Sequence, residues 1–381
     1  MFVFLLIVTS CILVVVVATT AGLLLHKVYA TALERILQRG QGYYGAEFNS
    51  LLLEELPIQY FDTDRDIYHE QVRYLFEPLR HSIQRAPFFT QRIARRALLG
   101  VMFDLARNVD GETMYRLCFA FGYFGYVDLE IVRLRSKDWW VRANACRAVT
   151  LMKVQQAIPA LTELLDDEND DVRIEAAQSL IDIAGVDAVY PILTHINAVS
   201  VWMAIRLTRA ILPMGIPVVG EIERVVRTLT LPTMTFCIEL LGELGDVSVV
   251  PTLLEIAPLL PTEQKRICLI ALGKIGDPTC LPFIATMIKA ERQELRLAAI
   301  RAAGLVGAES LIPVLKRLVT TAPLTERIAA GEALWRSDAK GRTALVELFR
   351  DTDETARTVA LEFLEEQYIK AKTTPGALYH T

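Results

Sequence analysis

The sequence predicts an all-α protein: an α-solenoid (α-α superhelix) of about seven or eight two-helix repeats, preceded by one transmembrane helix. A phrase that begins at Gly242 as GELGDVSVVPTLLE returns as GKIGDPTCLPFIA from Gly273 and as GLVGAESLIPVLK from Gly304. Apolar residues at three- and four-residue spacing surround each copy, and no β-rich segment competes. A long uncharged apolar run at the start of the chain predicts the additional membrane helix.

Composition restricts the class of partner. The 381 residues carry a net charge of -5, from 40 Lys and Arg against 45 Asp and Glu. This balance lacks the basic excess of nucleic-acid-binding proteins, so no nucleic-acid partner is expected. The six cysteines include no CxxC pair and mostly lie in apolar helical patterns, which predicts buried free thiols and suits a reducing compartment.

Residues 1–26 are predicted to be a transmembrane anchor. The run from Phe2 to Leu25 contains no charged residue, and as a helix it would extend about 36 Å, enough to cross a bilayer core of about 30 Å. A cleaved signal peptide is the alternative, but it normally begins with a basic region. Here the cations Lys27, Arg35 and Arg39 follow the run. We therefore expect a single-pass membrane protein with its N-terminus outside, its repeat domain in the cytoplasm, and lipid contact through residues 2–25.

Residues 27–46 are predicted to form a juxtamembrane helix that ends in a glycine-rich hinge. The segment Gly40–Gly45 formally reads GxGxxG. A dinucleotide site needs this spacing between a strand and a helix, whereas here it follows a helix with no βαβ pattern around it. A hinge is the favoured interpretation.

Residues 47–111 are predicted to form a helical N-terminal cap segment, with turns near Pro57 and near Ala86 and Pro87. Asp62 or Asp64 is expected to cap a helix, because the acidic run around them lacks the glycine of a calcium loop. The segment is rich in aromatic residues, which either close the first repeat as a cap or face the bilayer or a partner; the cap is favoured. These residues are Tyr60, Phe61, Tyr68, Tyr74, Phe76, Phe88 and Phe89. For the cations of a later helix, Arg92, Arg95 and Arg96, a solvated face is favoured over contact with anionic lipid.

Residues 112–369 are predicted to be the repeat solenoid, and residues 370–381 a flexible tail. A glycine that ends one helix recurs every 30 to 32 residues, with Lys153 at the equivalent place upstream and Asp338 downstream. These glycines are Gly185, Gly215, Gly245, Gly276 and Gly307. Glycine can adopt the left-handed conformation that closes a helix.

The residues after each glycine are typical of a helix start. Asp246 and Asp277 are placed to cap the next helix. Prolines follow at Pro251, Pro282 and Pro313, early in that helix, where no backbone donor is needed. One such helix pair is too short to bury its own apolar face, so neighbouring pairs are expected to stack into one continuous core.

These phrases resemble HEAT repeats. The residues that carry the resemblance are Ala271 to Asp277 (ALGKIGD) and Asp170 to Ala177 (DDVRIEAA), and the short subtype found in phycobilisome lyases (PBS-lyase or E-Z type) is the most similar. The resemblance implies an α-solenoid that works as a scaffold or adaptor. An enzymatic relative, deoxyhypusine hydroxylase, carries paired His-Glu motifs as iron ligands, whereas this chain has only His69-Glu70, outside the repeats.

Candidate partner-binding residues lie at the start of each second helix. Trp139 and Trp140 open one such helix, and one of them is expected in the core with the other exposed enough to anchor a partner. Recurring arginines are expected either to form a structural ladder that pairs with Asp residues between repeats or to line the concave face as a basic stripe. These arginines are Arg142, Arg173, Arg206, Arg266, Arg296 and Arg327.

The function expected from the sequence is that of a membrane-anchored scaffold or adaptor that binds a protein partner through the solenoid surface. The partner could itself be an integral-membrane protein or a complex at the same membrane. No nucleophile and base pair, metal site or cofactor site is evident, so the chain is not expected to be an enzyme. A lyase-like or cofactor-handling protein related to the phycobilin lyases remains the alternative, by family analogy alone.

Overall fold

In a computed structural model, residues 2–54, 65–196, 199–307, 309–350 and 353–373 are described, and all regular elements among them are helices. The described chain divides into two compact units, residues 1–161 and 162–381. Each unit is considered separately below.

The described part of the first unit contains six α-helices and the start of a seventh. Their bounds are α1 (Phe2–Leu52), α2 (Arg65–Arg85), α3 (Phe88–Ala106), α4 (Gly111–Tyr123), α5 (Tyr126–Leu134), α6 (Trp139–Leu151) and α7 (Ile158–Glu163). Predicted turns near Pro57 and the caps at Asp62 or Asp64 lie outside the described residues, whereas the predicted turn at Ala86 and Pro87 separates α2 from α3.

The predicted glycine hinge at residues 40–45 is wrong, because α1 continues as one helix from Phe2 to Leu52. The glycines serve helix packing. A Cβ atom on Gly40 would lie 3.2 Å from the Ala97 Cβ, and one on Gly45 would lie 3.1 Å from Val101, so both glycines let α1 approach α3 closely. The predicted segment boundary at residue 46 therefore falls inside one helix.

The aromatic residues of the predicted cap divide between the core and the surface. Tyr68 and Phe76 are fully buried, and the Phe76 ring stacks on Phe48 with 5.2 Å between ring centroids. Tyr74 is 80% exposed. The favoured cap interpretation thus holds for Tyr68 and Phe76, while Tyr60 and Phe61 and the side chains of Phe88 and Phe89 lie outside the described residues.

A buried arginine fixes the end of α1 to the rest of the first unit. Arg116 on α4 donates hydrogen bonds to the carbonyl oxygens of Leu52 (3.3 Å), the last residue of α1, and of Glu54 (2.6 Å), two residues later. It also donates to the Tyr68 hydroxyl (2.9 Å) and the Glu112 carboxylate (2.6 Å). Unsatisfied carbonyls at a helix end need such donors, so this network joins α1, α2 and α4.

The second unit continues the same two-helix pattern to the end of the described chain. Its helices are α8 (Asp170–Ala184), α9 (Val189–His195), α10 (Val201–Ile211), α11 (Pro217–Val225), α12 (Leu231–Leu244), α13 (Val250–Ile256), α14 (Thr262–Ile275), α15 (Leu281–Met287), α16 (Gln293–Val306), α17 (Ile312–Thr321), α18 (Leu324–Arg336), α19 (Ala339–Phe349) and α20 (Glu354–Thr373). In chain order, α5 to α20 form eight consecutive helix pairs among the described residues, in agreement with the predicted number of repeats. The tail predicted from residue 370 is helical to Thr373, and residues 374–381 lie outside the described range.

The predicted repeat turns are present. Gly245, Gly276 and Gly307 end their helices with φ of 70°, 76° and 72° in the left-handed region. Gly185 and Gly215 also have positive φ, with ψ of -132° and -148°, a combination that belongs to glycine. The five turns therefore share a need for glycine but not one conformation.

The two non-glycine turn positions differ from each other. Lys153 has φ of 48° and is the one non-glycine residue with positive φ that the described structure records. Asp338 was expected at the same helix-ending position, but its φ is -61° and its carboxylate instead accepts hydrogen bonds from Lys340 and Gly341 at the start of α19. Because Ser337 already ends α18 in extended backbone, no left-handed residue is needed there.

The caps and prolines of the turns agree with expectation. The Asp246 and Asp277 carboxylates accept hydrogen bonds from the backbone amides of Ser248 and Thr279 (2.8 and 2.6 Å). Prolines occupy the first turns of α13, α15 and α17, where they remove no helical hydrogen bond; they are Pro251, Pro282 and Pro313. The Asn169 side chain caps α8, and Asp170 and Asp171 lie in the first turn of that helix.

The second helices of the second unit pack through a repeated glycine–alanine contact. A Cβ atom on Gly242 of α12 would lie 2.8 Å from the Cα of Ala271 on α14. The same relation joins Gly273 to Ala302 (2.9 Å) and Gly304 to Ala333 (2.5 Å). The first glycine of each phrase is thus required for close packing of α12, α14, α16 and α18, while the second ends the helix.

One stretch of the described residues, Asp170–His195, is long and apolar enough to cross a membrane by length and composition. It comprises α8, a 3₁₀ turn and α9, and half of its most apolar window is buried in the protein. Buried core helices share these properties, so we interpret this stretch as part of the repeat core.

Candidate partner-binding surfaces

Both tryptophans that open α6 are exposed. Trp139 is 46% and Trp140 is 54% exposed, so the expectation that one of them is in the core is wrong. The buried face of α6 begins later, at Arg142 and Ala143. The first two residues of the helix therefore project beyond the repeat core, and they present two large aromatic side chains to solvent.

A second exposed apolar surface lies on α10 and was not predicted. Val201, Trp202 and Ile205 are 80%, 59% and 55% exposed. Ile205 follows Val201 by four residues and Trp202 by three, so the three side chains share one helix face. The opposite face of α10 supplies the core residues Met203 and Leu207. We call Val201, Trp202 and Ile205 the α10 stripe.

A comparison of the copies could have identified the α10 stripe from sequence. Trp140 and Trp202 are both the second residue of a second helix, two repeats apart. The equivalent residues of α8 and α14 are Asp171 and Glu263, which are exposed and charged. An apolar residue at a position that other copies fill with an acid is a signal for a binding surface.

The predicted arginine set contains two structural groups. Arg142, Arg173, Arg296 and Arg327 are each the fourth residue of their helix. Each donates at least one hydrogen bond to a backbone carbonyl oxygen five or six residues earlier, in the turn that enters the helix. The acceptors are Ser136 and Lys137 for Arg142, Asp167 for Arg173, Ala290 and Glu291 for Arg296, and Ala322 for Arg327.

Arg206 and Arg266 belong to the other group, since they are the sixth and fifth residues of their helices. Arg206 pairs with Glu175 on α8 at 3.1 Å, and Arg266 pairs with Glu263 on its own helix at 2.5 Å. The hydrogen bonds that Arg266 donates to the Glu263 carboxylate raise the pKa of Arg266 and lower the pKa of Glu263. Four of the six arginines therefore hydrogen-bond to the turn within their own repeat. Where an arginine pairs with an acidic residue of a neighbouring repeat, that residue is a glutamate more often than the expected aspartate. Their role in binding a partner stays a prediction.

Ion pairs between adjacent repeats use many of the remaining charges of the second unit. Residues about one period apart pair as Lys274 with Glu243, Lys316 with Glu347, Lys340 with Glu309, and Arg296 with Glu326. The three lysine–glutamate pairs are exposed and contribute little stability individually. They do reduce the number of charges available to a partner, which leaves the exposed apolar positions as the more distinctive surface.

The first unit also contains an open cleft of about 950 Å³ between α2, α4 and the turn after α6. His69, Phe119 and Tyr123 stack along its wall, with centroid separations of 4.9 Å for His69–Phe119 and 6.3 Å for Phe119–Tyr123. Lys153 and Cys118 also line the cleft, and burial raises the pKa of the Cys118 thiol to about 11. A thiol with this pKa is protonated at neutral pH and is a poor nucleophile.

No group of three or more His, Cys, Asp or Glu side chains that could hold a metal ion occurs in the part of the chain that the structure describes. His69 and Glu70, the single His-Glu pair of the sequence, both line the cleft. Of the cysteines described, Cys146, Cys237, Cys268 and Cys280 are buried free thiols, as predicted, and Cys118 is partly exposed.

Stacked helix pairs with a repeated glycine turn and a shared core define an α-solenoid repeat protein. Residues 128–206 and 250–335 match the HEAT-repeat family, so these parts of the chain are HEAT repeats, as the sequence phrases indicated. No curated protein matches the chain in sequence.

Three solved structures illustrate what the fold is similar to. An engineered protein is 17% identical over 87% of this chain and 98% of its own, with a TM-score of 0.36. The complex of CpcE and CpcF of phycocyanin lyase from Nostoc sp. PCC7120 is 18% identical over 63% of this chain and 94% of its own, with a TM-score of 0.28. Kap121p bound to Ste12p is 12% identical over 91% of this chain, with a TM-score of 0.37, and the chain spans 47% of Kap121p. At these identities and TM-scores, none of them bears on function.

Proposed function

We propose that this chain is a non-catalytic HEAT-repeat adaptor that binds a protein partner through the exposed starts of its second helices. The observation that carries the proposal is the α10 stripe, in which Val201, Trp202 and Ile205 share one exposed helix face. Large aromatic and aliphatic side chains exposed together are characteristic of binding hot spots. Solvent exposure of such a stripe is unfavourable, and a partner that covers it removes this cost.

We further propose that the adaptor is a single-pass membrane protein with its N-terminus outside and its repeats in the cytoplasm, and that its partner works at the same membrane. Support comes from the 24 uncharged residues between Phe2 and Leu25 and from the cations that follow them. Leu23, Leu24 and Val28, near the end of this run, are 70%, 64% and 66% exposed. Such exposure suits a helix surrounded by lipid.

Site-specific photo-crosslinking in cells tests the partner proposal. A crosslinking residue at Trp202 should join the chain to one protein species, and the same residue at Val247, which is 56% exposed in the same unit, should not. The variant V201S/W202A/I205S should lose at least about tenfold in affinity for that species, since each truncated hot spot costs on the order of 1–2 kcal/mol. The matched control V247S/L259S/L324S removes three exposed apolar side chains elsewhere in the unit and should retain binding. Equal crosslinking at Trp202 and Val247 would refute the proposal.

Membrane topology is tested separately. A reporter fused to the C-terminus should be active in the cytoplasm, and the chain should resist extraction by carbonate. A reporter active on the outer side, or a mature protein that begins near Ala21, would contradict the anchor.

A further inference from the structure

The hairpin formed by α2 and α3 lies beside the part of α1 that follows the apolar run. Gly40 contacts Ala97 and Gly45 contacts Val101, so α1 and α3 run in the same direction with a register offset of about 57 residues. Phe88, which begins α3, is then level with about Thr31 of α1. The stacking of Phe48 on Phe76 places Arg85, the end of α2, near the level of Arg39.

This register places the α2–α3 turn close to the proposed membrane surface. With a rise of about 1.5 Å per residue, levels 31 to 39 of α1 lie about 9 to 21 Å beyond Leu25. The headgroup layer extends roughly 5–7 Å beyond the hydrocarbon core, and helix tilt reduces the separation further. An anionic surface also acts over a Debye length of about 10 Å at 0.1 M salt.

The charged residues on either side of the α2–α3 turn, and those of α1 after the apolar run, are mostly cationic. The nineteen residues from Pro78 to Arg96 contain five arginines and one histidine but no Asp or Glu. On α1, Lys27, Arg35 and Arg39 are exposed, with Glu34 as the one acidic residue between them. The net charge of each of the three helices is therefore positive at this end of the first unit.

Arg80 and Arg95 contact the end of α4 and the start of α5. Arg80 lies over the Tyr123 ring at 4.5 Å, and Arg95 donates to the Phe124 carbonyl oxygen at 3.2 Å and lies 5.9 Å from the Tyr126 ring. The other three are exposed, and two of them flank the seam between α1 and α3, about 100° around α3 from Ile93 and Ala97. We call the exposed cations the juxtamembrane band: Lys27, Arg35, Arg39, Arg85, Arg92 and Arg96.

We propose that the juxtamembrane band binds the headgroups of anionic phospholipids on the side of the membrane where the repeat domain lies. This inference rests on the proposed anchor and assigns a lipid class to the first unit. Lipid is the occupant that the charge complementarity and the continuity with the apolar run of α1 favour, because clustered cations next to a membrane span bind acidic lipid. Contact through a rigid hairpin as well as α1 would fix the orientation of the first unit at the membrane.

Hydrogen exchange of the full chain in lipid nanodiscs tests the proposal. Replacing phosphatidylcholine with a mixture containing phosphatidylserine should slow exchange in the α2–α3 turn at least about fivefold, roughly the effect of one cation near an anionic surface. The slowing should disappear in about 1 M salt, where the Debye length is about 3 Å. It should also disappear in the variant R85Q/R92Q/R96Q. The control R301Q/R317Q/R350Q removes the same charge from exposed positions in the second unit and should behave as the unmodified chain does.

Vesicle flotation separates failure of this inference from failure of the anchor. A chain that floats with phosphatidylcholine vesicles after a carbonate wash has the anchor. If it floats, and the α2–α3 turn exchanges equally in both lipids, the lipid proposal is overturned and an acidic protein segment becomes the occupant to seek. A chain that floats only with anionic vesicles at low salt lacks the anchor. If R85Q/R92Q/R96Q then abolishes flotation, the juxtamembrane band binds anionic lipid without the anchor.

Discussion

Gly273 lies so close to Ala302 that a Cβ atom on the glycine would come within 2.9 Å of the Ala302 Cα. Gly242 and Gly304 have the same relation to the alanines of the next second helices. Neighbouring helices in this stack therefore touch almost backbone to backbone, once per repeat. The contact depends on two small residues from adjacent copies, so it is a property of the array and not of any single helix pair.

Substitution of a packing glycine should destabilise the second unit. In Gly304→Ala the new methyl group would meet the Ala333 backbone at 2.5 Å, and α16 and α18 must separate. Overpacking of this kind costs about 1–3 kcal/mol. A lower urea midpoint for unfolding would show it. Gly220→Ala is the control, because α11 has open space at that position and alanine should stabilise it by about 0.5–1 kcal/mol. A Gly304→Ala variant as stable as the unmodified protein would contradict the packing argument.

Lys153 should be a strained position. Its φ of 48° corresponds to the place that glycine occupies in the next five turns. Left-handed backbone costs a residue with a Cβ atom about 1–2 kcal/mol, and part of the relief in Lys153→Gly is offset by the greater freedom of glycine in the unfolded chain. We expect a gain of about 0.5–1 kcal/mol, measured as a higher midpoint of thermal unfolding. Lys153→Ala keeps the strained backbone and loses the amine, so its thermal midpoint should not rise. An equal rise in both variants would show that removal of the charge, and not relief of strain, is the cause.

The arginine groups should differ in their contribution to stability. Arg296 donates to two turn carbonyls and to Glu326, whose side chain is 3% exposed, so Arg296→Ala leaves a buried carboxylate without its partner. We expect a loss of about 3 kcal/mol in the free energy of unfolding. Arg266→Ala removes an exposed pair within one helix and should cost less than about 1 kcal/mol. Adding Glu326→Gln to Arg296→Ala should recover part of the loss. Equal effects of the two single substitutions would argue against distinct roles.

The regular parts of this protein were predictable from its sequence because each turn depends on a few local residues. Gly245 ends one helix, and Asp246 and Pro251 begin the next, because of the local backbone preferences of these three residue types. The packing role of Gly40 was not predictable in this way, because glycine breaks an isolated helix and also permits close helix packing. Only the position of Ala97 on α3 decides between these roles.

The exposed residues were harder to predict than the turns. Burial of Trp139 or Trp140 depends on where the core face of α6 begins, and a shift of one residue turns a side chain by about 100°. The recurring arginines do not locate Trp202 in its helix. Arg206 is the sixth residue of α10, whereas Arg142 and Arg173 are the fourth residues of α6 and α8. Alignment of the copies by their helix starts, and not by the glycines that end the helices, reveals the α10 stripe.

Two carboxylates of the first unit should respond to acid in opposite ways. Burial by itself would raise the pKa of Glu112, but hydrogen bonds from Arg116 and Tyr68 outweigh it and lower that pKa below the ordinary value of 4.5. A depressed pKa in the folded state gives stability that is present above pH 4.5 and is lost as the pH falls through the folded pKa. Glu112→Gln should therefore lower the thermal midpoint at pH 7 and weaken its dependence on acid below pH 4.5. An unchanged acid profile would show that the ion pair contributes nothing.

Glu130 provides the contrast. Its side chain is fully buried, and its pKa is raised by that burial despite the Arg133 guanidinium at 2.9 Å. One carboxylate oxygen, Oε2, has no hydrogen-bond partner among the described residues. A raised pKa means that the charged form is less stable in the folded protein, so stability is lost as the pH rises from 4.5 through the folded pKa. Glu130→Gln should raise the thermal midpoint at pH 7 and have little effect at pH 4, because the carboxyl is already neutral there. If Glu130→Gln instead destabilises the protein at pH 7, the ion pair with Arg133 outweighs the cost of burying the charge.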